Sequence, residues 1–191
     1  MTDERVMVFI DGQNFFHSMK RLPYITPDMI RINLYKLALL LAKNRKLIRI
    51  YYYVGLHAEN DKARYHKQKD FLDHIRETPY CSLRYGRLMK SGEGYVEKGV
   101  DVLLTVDMLK LARLNSYDTA ILISGDGDFV EAVRDAQEMG KQVELATVSY
   151  QQSTALRLVC DRYTEISEKI LMLASTKRTR PEEMMVVGGI K

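Results

Sequence analysis

The order of apolar patterns in this sequence predicts an α/β fold built on a central, mostly parallel sheet. Short apolar runs rich in β-branched residues alternate with stretches whose apolar residues recur at helical spacing, the pattern of parallel strands joined by right-handed crossovers. Two of the runs are apolar almost without interruption, as a strand buried on both faces must be. The chain has 191 residues, enough for one full core and short for two domains.

The strands are expected at "RVMVFI" (5–10), "LIRIYYYV" (47–54), "YCSLRYGRL" (80–88), "TAILIS" (119–124) and "QVELATV" (142–148). Helical spacing occupies 13–20, 28–43, 60–76, 99–114, 128–139 and 151–160. The first and fourth runs belong at the centre of the sheet, while the mixed second and third fit positions nearer an edge. The triple tyrosine at 51–53 alternates across its strand and therefore packs into the core instead of forming one stacking platform. "MKSGEGYVEKG" (89–99) reads as a polar loop or short hairpin, with Gly92 and Gly94 at the turn. A final amphipathic helix, "EISEKILMLA", closes a domain spanning 1–174, and 175–191 reads as a tail, flexible or docked on a partner.

Composition narrows the class of function only modestly. A net charge of +4 is compatible with a nucleic-acid partner but common among ordinary domains. The cations are more telling in their distribution, because "KARYHKQK" (62–69) and "LRYGRLMK" (83–90) interleave them with tyrosines. The longest apolar stretch is too short for a membrane span and the first residues lack a signal-peptide pattern, so a cytoplasmic protein is expected. Cys81 and Cys160 stand alone, without a zinc pattern or a disulfide framework. His17, His57, His66 and His74 show no ligand pairing and read as surface or satisfied core residues.

Ligands of an open parallel sheet bind beyond the carboxyl ends of its strands. There the first run ends in "FIDGQN" and the fourth in "ISGDGD", supplying Asp11, Asn14, Ser124, Asp126 and Asp128. If the order of strands reverses between these two, the aspartates converge. The helix "EKGVDVLLTVDMLKLA" reads as buried almost all round and adds Asp101 and Asp107, which lie ~240° apart around it and cannot face one site. Asp101 is nearest the strand ends; Asp107 fits a structural pairing with a cation. Carboxylates gathered in a partly dehydrated cleft repel one another unless a hard divalent cation compensates, and Mg²⁺ or Mn²⁺ takes oxygen ligands of this kind. Gly12, Gly125 and Gly127 would let the backbone turn sharply and approach a phosphate.

Each of these residues also has a structural reading. Asp128 with Glu131 forms a capping-box pattern for the helix from 129, a role compatible with metal binding. Asp126 is then in excess of what one helix end needs. Asn14 fits the cap of the first helix, Asp11 fits a turn former as well as it fits a ligand, and Lys98 fits an ion pair as well as a phosphate contact. A dinucleotide fingerprint fails because Val130 stands where its third glycine belongs, and an EF-hand loop fails at Val130 and Gln137.

Together, "FIDGQNFF", "KGVDVLLTVDML" and "LISGDGDFVEAVRDAQEMGKQVEL" resemble, in order and spacing, the NYN domain family in its LabA-like branch, which is related to PIN-domain nucleases. "QQSTALRLVCDRYTEI" resembles the segment that closes the family's domain, with a last strand at its end. The resemblance covers roughly residues 5–166. It implies a three-layer α/β/α PIN-like (Rossmann-like) fold with five or six strands and a metal-dependent endoribonuclease site. In that site Asp11, Asp101, Asp126 and Asp128 match the acidic cluster that holds Mg²⁺ or Mn²⁺, and Asn14 matches its polar companion. Lys98, Arg64, Lys67, Arg84 and Arg87 would then line the approach of single-stranded RNA. PIN-like domains often pair, so a homodimer is a further expectation. Two other functions fit the same acids: a non-catalytic regulatory module acting through protein or RNA contacts, and a hydrolase directed at small nucleotides.

Overall fold

The computed structural model describes residues 3–22, 32–56, 62–91, 94–148 and 153–175; for 62–67, 87–91 and 94–98 it describes the backbone alone. The chain begins with β1 (Arg5–Asp11), α1 (Gly12–Lys20), α2 (Leu34–Ala42), β2 (Lys46–Val54), α3 (Lys62–Arg76) and β3 (Cys81–Tyr85). A hairpin of β4 (Arg87–Ser91) and β5 (Gly94–Lys98) leads to α4 (Val100–Arg113) and β6 (Thr119–Ile123). A 3₁₀ turn (Gly127–Phe129) opens α5 (Val130–Glu138), followed by β7 (Gln142–Thr147), α6 (Thr154–Val159), β8 (Arg162–Glu165) and α7 (Glu168–Ala174).

Six strands form one sheet in the order β3-β2-β1-β6-β7-β8, every neighbouring pair parallel. The two most apolar runs, β1 and β6, lie side by side at its centre, and the chain leaves β1 toward β2 on one side while β6 takes the other. Alternation along β1 feeds two cores. Val6, Val8 and Ile10 pack with α1, α2, α3 and α7 on one face. Met7 and Phe9 pack with α4, α5 and α6 on the other, which completes the three layers. The tyrosines of β2 divide as their alternation requires: Tyr52 joins the first core, while Tyr51 and Tyr53 join the second, where Tyr51 stacks on Phe9 with ring centroids 5.6 Å apart.

Two expectations change. The run 80–88 is not one strand: Tyr85 pairs with Val54, the last residue of β2, and Gly86 N donates to Val54 O at 3.0 Å. With no partner beyond that point among the described residues, the chain leaves the sheet and continues in the antiparallel hairpin. Nor is α4 buried all round, because Val102 and Val106 lie exposed on its outer side; the sheet and α5 cover only the stripe carrying Leu104, Met108 and Ala112. The expected helix over 28–43 is described from Leu34, where Asn33 accepts from Lys36 N; the segment 23–31 before it and the tail beyond Ser175 lie outside the described residues. Cys81 and Cys160 are unpaired and half-buried, and burial pushes their thiols up to about 11 and about 12, which keeps them protonated.

Candidate functional site

Asp11 ends β1 and begins α1. Its Oδ1 accepts from Asn14 N at 3.0 Å, capping the helix, and its Oδ2 accepts from Ser124 Oγ at 3.0 Å, across the junction with β6. Ser124 Oγ in turn accepts from Asp126 N at 3.2 Å, and Asn14 Oδ1 accepts from Gly125 N at 2.9 Å. The loop after β6 is thereby stitched to the first turn of α1. Because Gly125 offers a donor, the oxygen of the Asn14 amide must face it. The Nδ2 donors of Asn14 are left without a partner among the described residues.

The caps fall on different residues than the sequence pattern indicates. Asp11, not Asn14, caps α1. Asp126 Oδ1 accepts from Asp128 N at 3.0 Å and caps the 3₁₀ turn, whereas α5 begins after that turn with no side-chain cap. The extra turn moves the start of the helical segment forward, which leaves Asp128 exposed. The glycines also have a packing role: a Cβ on Gly12 would stand 2.5 Å from the Tyr52 ring, and one on Gly127 would stand 2.8 Å from Ser153 Oγ.

Asp101 lies in the first turn of α4, where a carboxylate offsets the helix dipole. Gly99 before it adopts a left-handed φ of +84°, the conformation that turns the chain from β5 into the helix. These elements enclose an open cleft of about 450 Å³. Asp11, Asp126, Asp101, Gly99 and Val100 contribute to it from the strand ends and α4; Gln13, Asn14, His17, Ser18 and Arg21 contribute from α1. Asp128 stands outside this lining, but its charge reaches Asp101.

Burial and neighbouring charges disfavour ionisation of Asp11 and Asp101. Burial pushes Asp11 above the usual carboxylate range, the bonds from Asn14 N and Ser124 pull it partly back, and the charges of Asp101 and Asp126 raise it again. Asp101 is likewise raised, by partial loss of water and then by the charges of Asp126 and Asp128. An oxygen-only donor set with this mutual repulsion suits a hard divalent cation. Among the described residues no three His, Cys, Asp or Glu side chains converge as a ready-made cage. Mg²⁺ does not require one, since it usually keeps several waters and takes one or two carboxylates together with substrate phosphate.

The expected cations are placed unevenly. Arg84, on β3, gives its Nε and Nη2 to Asp107 Oδ2 and Oδ1 at 2.8 and 2.9 Å, and Tyr53 Oη donates to the same carboxylate at 3.2 Å. Asp107 thus has the structural partner expected of it, and that partner is one of the residues expected to meet RNA. Lys98 directly precedes Gly99 at the cleft; the side chains of Lys98, Arg64, Lys67 and Arg87 lie outside the description. Sequence reasoning passed over Gln13, His17, Ser18 and Arg21 as parts of the cleft. The signal was the recurrence of polar residues at 14, 17, 18 and 21, one face of a helix that starts at a site aspartate.

Residues 5–168 match the family profile described as the NYN domain. The chain belongs to the NYN domain family. NYN proteins are generally nucleases, and this chain is a nuclease-like module of that family. Among curated relatives, the low amplitude and bright protein LabA of Synechococcus elongatus is 27% identical over 187 residues, covering 93% of this chain and 91% of its own. An uncharacterised protein of Sinorhizobium fredii is 35% identical over 108 residues, 53% of this chain and 49% of that one. A solved Vibrio parahaemolyticus protein of unknown function superposes with a TM-score of 0.68 at 22% identity, covering 87% of this chain and 94% of that one, a likeness of fold. Among the described residues no helix of this NYN chain is long and apolar enough to cross a membrane.

Proposed function

We propose that this NYN domain is a Mg²⁺- or Mn²⁺-dependent endoribonuclease that hydrolyses phosphodiester bonds of single-stranded RNA in the cleft at the ends of β1 and β6. The observation that carries this reading is the convergence of Asp11, Asp101 and Asp126: three carboxylates from separate parts of the chain line one cleft, and the charge of Asp126 raises both Asp11 and Asp101. Asp11, Asp101 and Asp126 would hold the cation, with Asp128 beside them. When bound, the cation supplies a water made nucleophilic near neutral pH and stabilises the leaving oxygen.

The protein's own groups complete the arrangement. Asn14 and Ser124 fix the Asp11 carboxylate in a single orientation. The Nδ2 of Asn14, unpaired among the described residues, offers its donors to a phosphate oxygen. Asp126, capping the 3₁₀ turn, is held where its second oxygen remains available.

The test is Asp126→Asn, which keeps the Oδ1 acceptor for Asp128 N and removes only the charge. Metal-dependent cleavage of RNA should fall by roughly 10²-fold or more, with the melting temperature little changed. Cleavage at the wild-type rate by the purified variant refutes the assignment. If the wild-type chain cuts no RNA with either ion but binds it, the regulatory module is the correct reading. Hydrolysis confined to mononucleotides points instead to the small-nucleotide hydrolase.

A further inference from the structure

The α1 side of the cleft holds two groups that the acidic site does not use. Ser18 is 7% exposed, lines the cleft, and its hydroxyl has no hydrogen-bond partner among the described residues. A buried hydroxyl left unpaired is costly, and such groups normally meet a ligand or water. Arg21, exposed at the end of the same face, forms no ion pair among the described residues, although Asp11, Asp101 and Asp126 line the same cleft. By contrast Arg5, Arg45, Arg84 and Arg162 are each committed to a carboxylate.

Asn14, Ser18 and Arg21 fall within about 60° on the helix, and the rise along it is about 6 Å from Asn14 to Ser18 and about 10 Å to Arg21. The cleft is therefore polarised along α1, with carboxylates at its start and a guanidinium two turns away. An anion held at Arg21 is a different anion from one held at Asn14 and the acids. A guanidinium and a hydroxyl together match the oxygens of a phosphodiester, which a guanidinium can bind through two parallel N–H bonds.

We propose that Ser18 and Arg21 form a second phosphate subsite, which holds a phosphodiester of the same strand next to the one at the aspartates. This rests on the nuclease reading of the cleft and names its substrate class: a single-stranded polynucleotide with at least one phosphodiester beyond the scissile bond, not a dinucleotide or mononucleotide. The acids repel an approaching strand until a cation is bound. The Arg21 end attracts it in either state, so the strand is anchored first at the subsite and then laid across the carboxylates.

The experiment measures binding separately from cleavage. Fluorescent single-stranded RNA of about ten nucleotides and a dinucleotide with one phosphodiester are titrated by anisotropy or competition onto the full chain with Ca²⁺, for wild type, Arg21→Ala, Arg21→Lys and Ser18→Ala. Arg21→Ala should weaken the longer RNA roughly tenfold and lower the slope of log K against log salt by about 0.7, leaving the dinucleotide unaffected and the melting temperature unchanged. Arg21→Lys should restore part of the loss, and Ser18→Ala should weaken the longer RNA a few-fold. Equal losses on both ligands, no loss on the longer one, or no RNA binding by the wild-type chain each overturn the subsite. If wild type binds with these differences yet cuts nothing, the subsite stands and the nuclease reading fails.

Discussion

Ser124 Oγ donates to Asp11 Oδ2 at 3.0 Å and accepts from Asp126 N at 3.2 Å, so one hydroxyl joins the aspartate ending β1 to the one following β6. Its bond to Asp11 opposes the burial and the neighbouring charges that raise that carboxyl. Ser124→Ala should raise Asp11 further and move the acid limb of the cleavage profile to higher pH. It should also cost about 1–3 kcal/mol of stability, since a buried acceptor and a backbone donor both lose a partner. Rate–pH profiles and denaturant melts of the variant check both effects.

Divalent cations should stabilise the fold in a pH-dependent way. Asp11 and Asp101 are raised when folded, so the folded chain holds their protons more tightly than the unfolded one. Their contribution to stability is full below the unfolded carboxylate value of about 4 and is lost as the pH rises through the folded values. Mg²⁺ compensates the charges that appear in that window. It should raise the melting temperature at pH 7 and not at pH 4, and Asp11→Asn should flatten the stability loss between those values, as read by calorimetry.

Arg84 is bound to Asp107, which is 5% exposed, beside the fully buried Tyr53. Arg84→Ala leaves that carboxylate with Tyr53 alone among the described residues and should cost about 1–3 kcal/mol. RNA affinity should stay within about twofold of wild type, as expected of a cation whose loss empties no phosphate contact. Parallel melting and RNA-binding measurements separate the two effects; a large loss of affinity without loss of stability would return Arg84 to the RNA path.

Gly12→Ala places a Cβ 2.5 Å from the Tyr52 ring, which is 2% exposed and has no room to retreat. Overpacking of this kind should cost about 1–3 kcal/mol. It also moves the first turn of α1, so RNA cleavage should fall with stability. Chemical denaturation and activity assays on the one variant test the link.

The strands were legible in the sequence because β1 and β6 are buried on both faces and β2 alternates. The convergence of Asp11, Asp101 and Asp126 on one cleft was legible because Asp11 ends β1, Asp126 lies in the loop after β6 and Asp101 opens a helix at the same sheet edge. The local capping arrangement was not. "DFVE" satisfies a capping box on spacing alone, and nothing in it signals that a 3₁₀ turn intervenes and transfers the cap to Asp126. The α1 side of the cleft was hidden for another reason. His17, Ser18 and Arg21 look like the solvated face of any amphipathic helix until the sheet order places that face opposite Asp101. The pairing of Arg84 with Asp107 was not legible either, because interleaved cations and tyrosines describe an RNA surface and a structural ion pair equally well.

The pairing of β1 with β6 joins segments more than a hundred positions apart, as the Asp11–Ser124 bond records with its separation of 113 residues. During synthesis, β1, β2 and β3 are complete long before β6 leaves the ribosome, and until then the central edge of β1 is an open strand. Asp126 arrives only with β6. A nascent or prematurely terminated chain therefore carries an unpaired central strand edge and lacks Asp126, so the acidic cleft is assembled only when β6 closes onto β1, in one of the latest steps of the chain's synthesis.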